Sequence, residues 1–339
     1  MTFGGLGRVA LAAAIATLSA SPADADFNDK KPINYTVDGA TATGYFKVVA
    51  EAINGIIREA FPGSAATYKP GSPAGGILNI SRGQSSFSFT GGAPEIAYAL
   101  EGKAPFTESL EGKFKFVMML HNGLVVHSLM TKEWADRNGI KSFADIAAKK
   151  PIMRLHVNQI ANLQSTLGMY VTLFDTYGIN VDEVTKGTTI FRSNSSGGMD
   201  ALRDGKIDVF INGGFLPTAE ITDIARARSL LWISGEPDKI KAAAGRWGYD
   251  TVPVPKDIYS FVTKDEVTIT QWNAILAGAH VSDETVYKFI KAMADNRDRV
   301  RTIHPSIAHF SVEAVSRNPT QVPYHPGAER FYREAGVLK

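Results

Sequence analysis

The chain has 339 residues, 44% of them hydrophobic and 21% charged, a globular balance with length enough for two lobes. A formal net charge of +2 without a dense lysine–arginine run offers no basic face for nucleic acid. The lack of cysteine removes disulfides, thiolate metal sites, a cysteine nucleophile and a lipid-attachment thiol together.

The first segment reads as an export signal. Arg8 supplies the positive start, Val9 to Leu18 a short apolar run, and Ala23-Asp24-Ala25 a small-x-small cleavage site. The run is too short to span a bilayer. Residues 1–25 are therefore expected to be a cleaved signal peptide, and the mature chain to begin at Asp26 without a lipid anchor.

Strand, loop and helix then alternate. Ile33 to Val37 reads as a strand, Asp38 to Gly44 as a loop, and a helix starts near Tyr45 with Phe46, Val49, Ile53, Ile56 and Ile57 on one face. Pro62-Gly63 stops it. Ala66 to Tyr68 is strand-like, Lys69 to Gly76 a loop, and Ile77 to Arg82 a short helix. Phe87 to Thr90 is a strand, followed by a helix from Glu95 to Leu100. Phe114 to Leu120 and Leu124 to Met130 read as two strands parted by His121-Asn122-Gly123.

A second α/β set follows. Ser142 caps a helix, Ile152 to Val157 is a strand, and Asn158 to Asn162 is a polar loop. The next helix carries Leu163, Leu167, Tyr170, Phe174 and Tyr177 and ends at Gly178. Ile207 to Ile211 is a strand, Asn212 to Thr218 a loop, and a helix runs to Ala227. Beyond Trp247 the chain is expected to return to the first lobe, where Ser282 caps a helix striped by Val286, Phe289, Ile290 and Met293.

Four loops share one composition: Thr41 to Tyr45, Gly71 to Gly76, Asn158 to Gln164, and Asn212 to Thr218. Each follows a strand and precedes a helix, the edge at which open α/β sheets take ligands. Glycine admits close backbone approach, and unpaired N–H groups at helix starts attract anions. One such loop is an ordinary turn; four in an exported chain point to a cleft.

Catalytic patterns are missing. There is no G-x-G-x-x-G, no G-x-x-x-x-G-K-[ST], no G-x-S-x-G and no H-E-x-x-H. The seven histidines show no i, i+4 metal spacing and read as structural, with His121, between two strands, placed near a hinge. Ser193 to Gly198 reads as a loop and helix cap. Tyr45 is offset from the stripe that holds Phe46, which makes it a ligand wall.

At this point the chain resembles the TAXI-type receptors, the TRAP-associated extracytoplasmic immunogenic proteins. Asp38-Gly39-Ala40-Thr41-Ala42-Thr43-Gly44-Tyr45-Phe46 is similar to that family's T-G-x-x-x-G-x-Y-Y opening, and Pro70-Gly71-Ser72 to its second loop. Ala201 to Phe210 is similar to its A-L-x-D-G-K-I-D-A-F segment. His325 to Gly336 resembles its H-P-G-A-x-x-Y-Y-x-E-x-G tail, the most specific match. The third loop departs from the usual G-S-G, Pro73-Ala74 replaces an acidic-Asn pair, and Gly91 to Pro94 lacks a polar q-x-D pattern.

The resemblance implies a two-lobe type II periplasmic-binding-protein-like α/β fold with a hinge. Lobe I is expected to comprise 26–122 and 245–339, lobe II 123–244. It implies a periplasmic receptor, not an enzyme and without cofactor or metal, that hands a small organic anion to TRAP transporter membrane subunits. Ligand contacts are expected from Thr41, Thr43, Gly44 and Tyr45, from Gly71 and Ser72, from Asn158, Gln159 and Asn162, and from Asn212, Gly213 and Gly214. Arg154 or Arg192 is a candidate for a second carboxylate. A sensor role with a histidine kinase or chemoreceptor would use the same fold. An exported hydrolase would need a nucleophile–base pair that the sequence does not display.

Overall fold

The computed structural model describes residues 27–40, 42, 45–158, 165–187 and 190–339. The expected signal peptide lies outside them. In chain order the strands are β1 (Tyr35–Asp38), β2 (Ala66–Lys69), β3 (Phe87–Gly91), β4 (Phe114–Thr131), β5 (Leu155–Asn158), β6 (Phe191–Ser193), β7 (Val209–Gly214), β8 (Leu230–Trp232), β9 (Asp250–Val254) and β10 (Glu266–Gly278). The helices are α1 (Tyr45–Ala60), α2 (Pro73–Ser81), α3 (Ala93–Glu101), α4 (Lys132–Asn138), α5 (Phe143–Lys149), α6 (Ser165–Thr176), α7 (Val181–Val184), α8 (Ser195–Arg203), α9 (Ala219–Ala227), α10 (Pro237–Gly245), α11 (Asp283–Asp295), α12 (Arg297–Ile303), α13 (Val312–Ser316) and α14 (Pro326–Glu334). Among the described residues no helix is long and apolar enough to cross a membrane.

One sheet runs through the molecule in the order β2-β1-β3-β10-β4-β7-β5-β6, with β8 joining β4 and β9 joining β10. Two parallel sets, β1 with β2 and β3, and β5 with β6 and β7, flank a pair of long antiparallel strands. Strand β4 pairs with β10 from Phe114 to Val125 and with β7 from Val125 to Met130. Strand β10 pairs with β9 at Glu266 to Thr270 and with β3 at Ala274 to Ala277. These two strands carry the chain from one half to the other and back.

The expected break at His121-Asn122-Gly123 is not a break. Partner β10 pairs on both sides of it, Asn122 with Trp272 and Leu124 with Gln271. Gly123, at φ +149°, is the extra residue between those rungs and absorbs the bulge. Helix α2 starts earlier than its apolar pattern suggests. Ser72 Oγ accepts from Gly75 N at 3.2 Å and Pro73 fills the first turn, so the cap chemistry sets the boundary. Asn212, Gly213 and Gly214, expected in a loop, are the last rungs of β7 opposite His127, Val126 and Val125.

Apolar burial follows the sheet. Val37, Ile53, Phe87 and Phe289 fill one half, and Leu129, Phe210, Trp232 and Tyr259 the other. A third cluster runs under the crossing strands and joins Ile77 and Phe116 to Val126, Phe174 and Val209. The buried Lys288 ammonium is paired with Glu284 at 2.6 Å and with Asp29, which ties the start of the described chain to α11.

The C-terminal signature closes the first half. His325 Nδ1 accepts from Gly327 N at 3.3 Å while Nε2 donates to Val281 O at 3.0 Å. Tyr332 is fully buried and its hydroxyl donates to Val117 O at 3.0 Å, pinning α14 to β4. Tyr332→Phe is expected to cost about 1–2 kcal/mol, because a buried carbonyl loses its donor while the ring still packs. Urea unfolding measures it, and an unchanged midpoint would show that the bond contributes nothing.

Candidate ligand-binding site

Sheet register decides which strand ends meet. Gly91, at the end of β3, lies beside Ala274 of β10, and Gly214, at the end of β7, lies beside Val125 of β4. Val125 in turn faces Thr270, one rung from Gln271. The C-terminal edges of the two parallel sets therefore flank the same short crossing of β4 and β10. Topology alone brings the loops of the two halves together there.

Tyr45, the first residue of α1, makes one contact across the halves. Its ring centroid is 4.9 Å from Phe215, which follows β7. It is also 5.1 Å from His121 and 4.8 Å from His304, and His121 lies 5.6 Å from Phe215. The first and late loops are thus joined by an aromatic cluster. The Tyr45 hydroxyl faces Ser306 without a well-formed hydrogen bond, and burial raises the phenol above its usual range.

Among the described residues, two buried polar side chains at the crossing have no hydrogen-bond partner. His121 is 3% exposed, and neither ring nitrogen is hydrogen-bonded. Burial pushes its pKa down to about 3, with His304 adding to the effect, so the ring is neutral at neutral pH. Gln271 is fully buried, with both carboxamide atoms unpaired. Unsatisfied polar groups are costly in a protein interior, and a bound ligand is one way to satisfy them.

The other expected site residues are placed as follows. Gly71 N donates to Ala40 O at 2.7 Å, so the second loop lies against the first. The Ser72 hydroxyl accepts from the α2 backbone. Asn212 is buried opposite His127, and its Oδ1 accepts from Gly213 N at 2.7 Å. Asn158 is the last residue of β5, in register with Ser193. Thr41, Thr43, Gly44, Gln159 and Asn162 lie outside the described residues. The helix after the third loop still marks its surroundings: a Cβ at Gly168 would sit 2.9 Å from Pro94 Cβ, at the start of α3.

Arg154 is not available for a ligand. It holds Asp208 through Nε at 3.1 Å and Nη2 at 2.6 Å, and donates to Gly205 O at 2.8 Å. Arg192 lines a separate hollow with Tyr170, Asp175 and Asp182. Gln271 falls outside the expected set because β10 lacks a strand pattern; its signal is a carboxamide that, with Asn273, interrupts a β-branched and aromatic run from Val267 to Ile275.

One serine–histidine contact invites a catalytic reading, His156 Nε2 to Ser193 Oγ at 3.1 Å. Among the described residues His156 Nδ1 has no hydrogen-bond partner and no carboxylate orients the ring, and the Ser193 hydroxyl donates to Asn194 O. An activated nucleophile needs the base held by a third group. The crossing instead offers neutral donors, aromatic walls and the N-terminus of the 16-residue α1, which suits capture of a small polar solute.

This is a two-lobe α/β fold of the type II periplasmic-binding-protein kind. The chain belongs to the NMT1-like family, whose family model matches residues 38–336. Solved structures share the fold at low identity. PhnD1 from Prochlorococcus marinus, in complex with methylphosphonate, superposes with a TM-score of 0.54 at 8% identity, covering 91% of this chain and 100% of its own. MatC from Rhodopseudomonas palustris, with bound malate, gives 0.51 at 16% identity over 91% and 99% of the two chains. A periplasmic transporter gives 0.50 at 14% over 89% and 92%.

Proposed function

We propose that this protein is a periplasmic solute-binding receptor of a TAXI-type TRAP transporter. It captures a small organic anion, a carboxylate or acidic amino acid, between its lobes and presents it to the membrane subunits. The observation that carries the reading is the contact of Tyr45 with Phe215 across the halves, beside the orphaned His121 and Gln271. The tail His325 to Gly336 and the opening Asp38 to Phe46 support the TAXI assignment. That PhnD1 was solved with methylphosphonate and MatC with malate fits an anionic ligand. Export through residues 1–25 completes the reading.

Packing supports moving the second lobe boundary from residue 245 into β10. Val254, Tyr259 and Val262 pack with Leu129 and Phe210. Lobe I is then the chain up to the middle of β4 and from the middle of β10 onward. Ligand binding shifts the population between open and closed lobes.

The test is a thermal-shift panel on mature protein, with native mass spectrometry to identify a retained ligand. At least one small carboxylate, phosphonate or acidic amino acid is expected to raise Tm. Tyr45→Ala is expected to weaken that ligand about tenfold, roughly 1.4 kcal/mol. A panel without a single stabilising anion, or binding confined to neutral solutes, would overturn the reading.

A further inference from the structure

A cavity of about 250 Å³ lies on one side of the crossing strand and belongs to the first half alone. Its walls come from residues 119–122 of β4 and from residues 306–317, and neither Tyr45 nor any group beyond β4 in the second half lines it. It is therefore separate from the cleft, although His121 contributes to both.

The lining is polarised. Leu120, Ile307, Phe310 and Val315 are buried and apolar, and form the interior. Arg317 and His309 are exposed and stand at the opening, with Ser306 half-buried between. No carboxylate lines the cavity, and among the described residues Arg317 has no ion-pair or hydrogen-bond partner. An unopposed guanidinium over an apolar hollow fits an anionic head with an apolar body. The volume corresponds to roughly eight water-sized groups at about 30 Å³ each. His121, at the inner wall, keeps both ring nitrogens unpaired, so it adds a buried polar contact that the protein itself leaves open.

We propose that this cavity is a second binding site, for a small aromatic or branched carboxylate, with the carboxylate on Arg317 and the apolar body between Ile307, Phe310 and Val315. The site shares its inner wall, His121, with the cleft, while its carboxylate anchor and apolar body are its own.

Benzoate and 4-hydroxybenzoate are suitable probes, titrated into the mature protein by calorimetry and by protein-observed NMR. Saturable binding with Kd of about 1 mM or tighter is expected. Arg317→Gln changes an exposed side chain and is expected to weaken benzoate about tenfold. Ala314→Phe is expected to fill the cavity and abolish binding, with the unfolding midpoint measured alongside to confirm that the variant folds. A neutral analogue, benzamide, is expected to bind at least tenfold more weakly. Failure of both carboxylates to bind at about 10 mM, or binding unaffected by Arg317→Gln and Ala314→Phe, overturns the proposal. Arg317 and Ala314 lie away from Tyr45 and Phe215, so these variants leave the cleft reading to its own ligand panel with Tyr45→Ala.

Discussion

Replacing Gly327 by alanine is expected to destabilise the protein by about 3 kcal/mol, although alanine is the better helix former. The first turn of α14 lies directly against the start of α11. A Cβ at Gly327 would overlap the carbonyl oxygen of Asp283 and sit 2.8 Å from its carbonyl carbon. Backbone cannot rotate away as the end of a flexible side chain can, so α14 must back off. Retreat would strain the His325 bond to Val281 and the Tyr332 bond to Val117. Helix propensity returns only about 1 kcal/mol for Gly→Ala, and less in a first turn. Urea unfolding at neutral pH is the measurement. A loss under about 1 kcal/mol would mean that the two helices separate freely and that the close approach has no energetic role. The same geometry explains the signature. His325 caps, Pro326 starts the helix, Gly327 permits contact, and the fully buried Ala328 fits where a larger residue would not.

Acid is expected to unfold the protein well above the carboxylate range. Burial pushes His121 and His127 down to about 3 and His156 down to about 4. The unfolded chain binds protons on these rings near pH 6.5, the folded chain only far lower. Stability is thus fully present above about pH 6.5 and falls as the pH drops toward the folded values. Each ring contributes about 1.4 kcal/mol per pH unit within that window, so three contribute about 4. Asp38 works the other way, because burial holds its carboxyl above the usual range and its protonation relieves a cost. His127 isolates the effect. It is fully enclosed, and its Nε2 shares a hydrogen bond of 2.9 Å with Tyr259 Oη, which also accepts from Thr218 N at 2.8 Å. Urea midpoints between about pH 7 and pH 5 measure the slope, and His127→Gln is expected to make it shallower. A flat profile across that range refutes the argument.

Local chemistry was legible in the sequence, and long-range pairing was not. Ser142, Ser282 and the stripe from Val286 to Met293 follow from caps and periodicity, and the structure has them in those roles. Tyr45 was singled out because it falls off the Phe46 stripe, and its ring does reach the other half. The 13-residue β10 escaped because a strand buried on both faces shows no alternation. Without β10, the His121 turn looked like a gap, and Gln271 had no place in the reading. Arg154 looked like a ligand group because its partner, Asp208, is distant in sequence. The polar loops after β1 and β5 carry candidates that fall outside the described residues.

Continuity of the sheet has a mechanical consequence. Clamshell proteins joined by a slack tether can melt one shell at a time. Here the ladder from β2 to β6 is unbroken, and Phe116 shares a packing cluster with Phe174. Rocking has to be absorbed as twist where the β4–β10 pairing shifts around Gln271 and Asn273, because rupture there would forfeit packing on both sides. Calorimetry should accordingly give one endotherm for the whole chain, and protease nicking near residue 122 should release no surviving half.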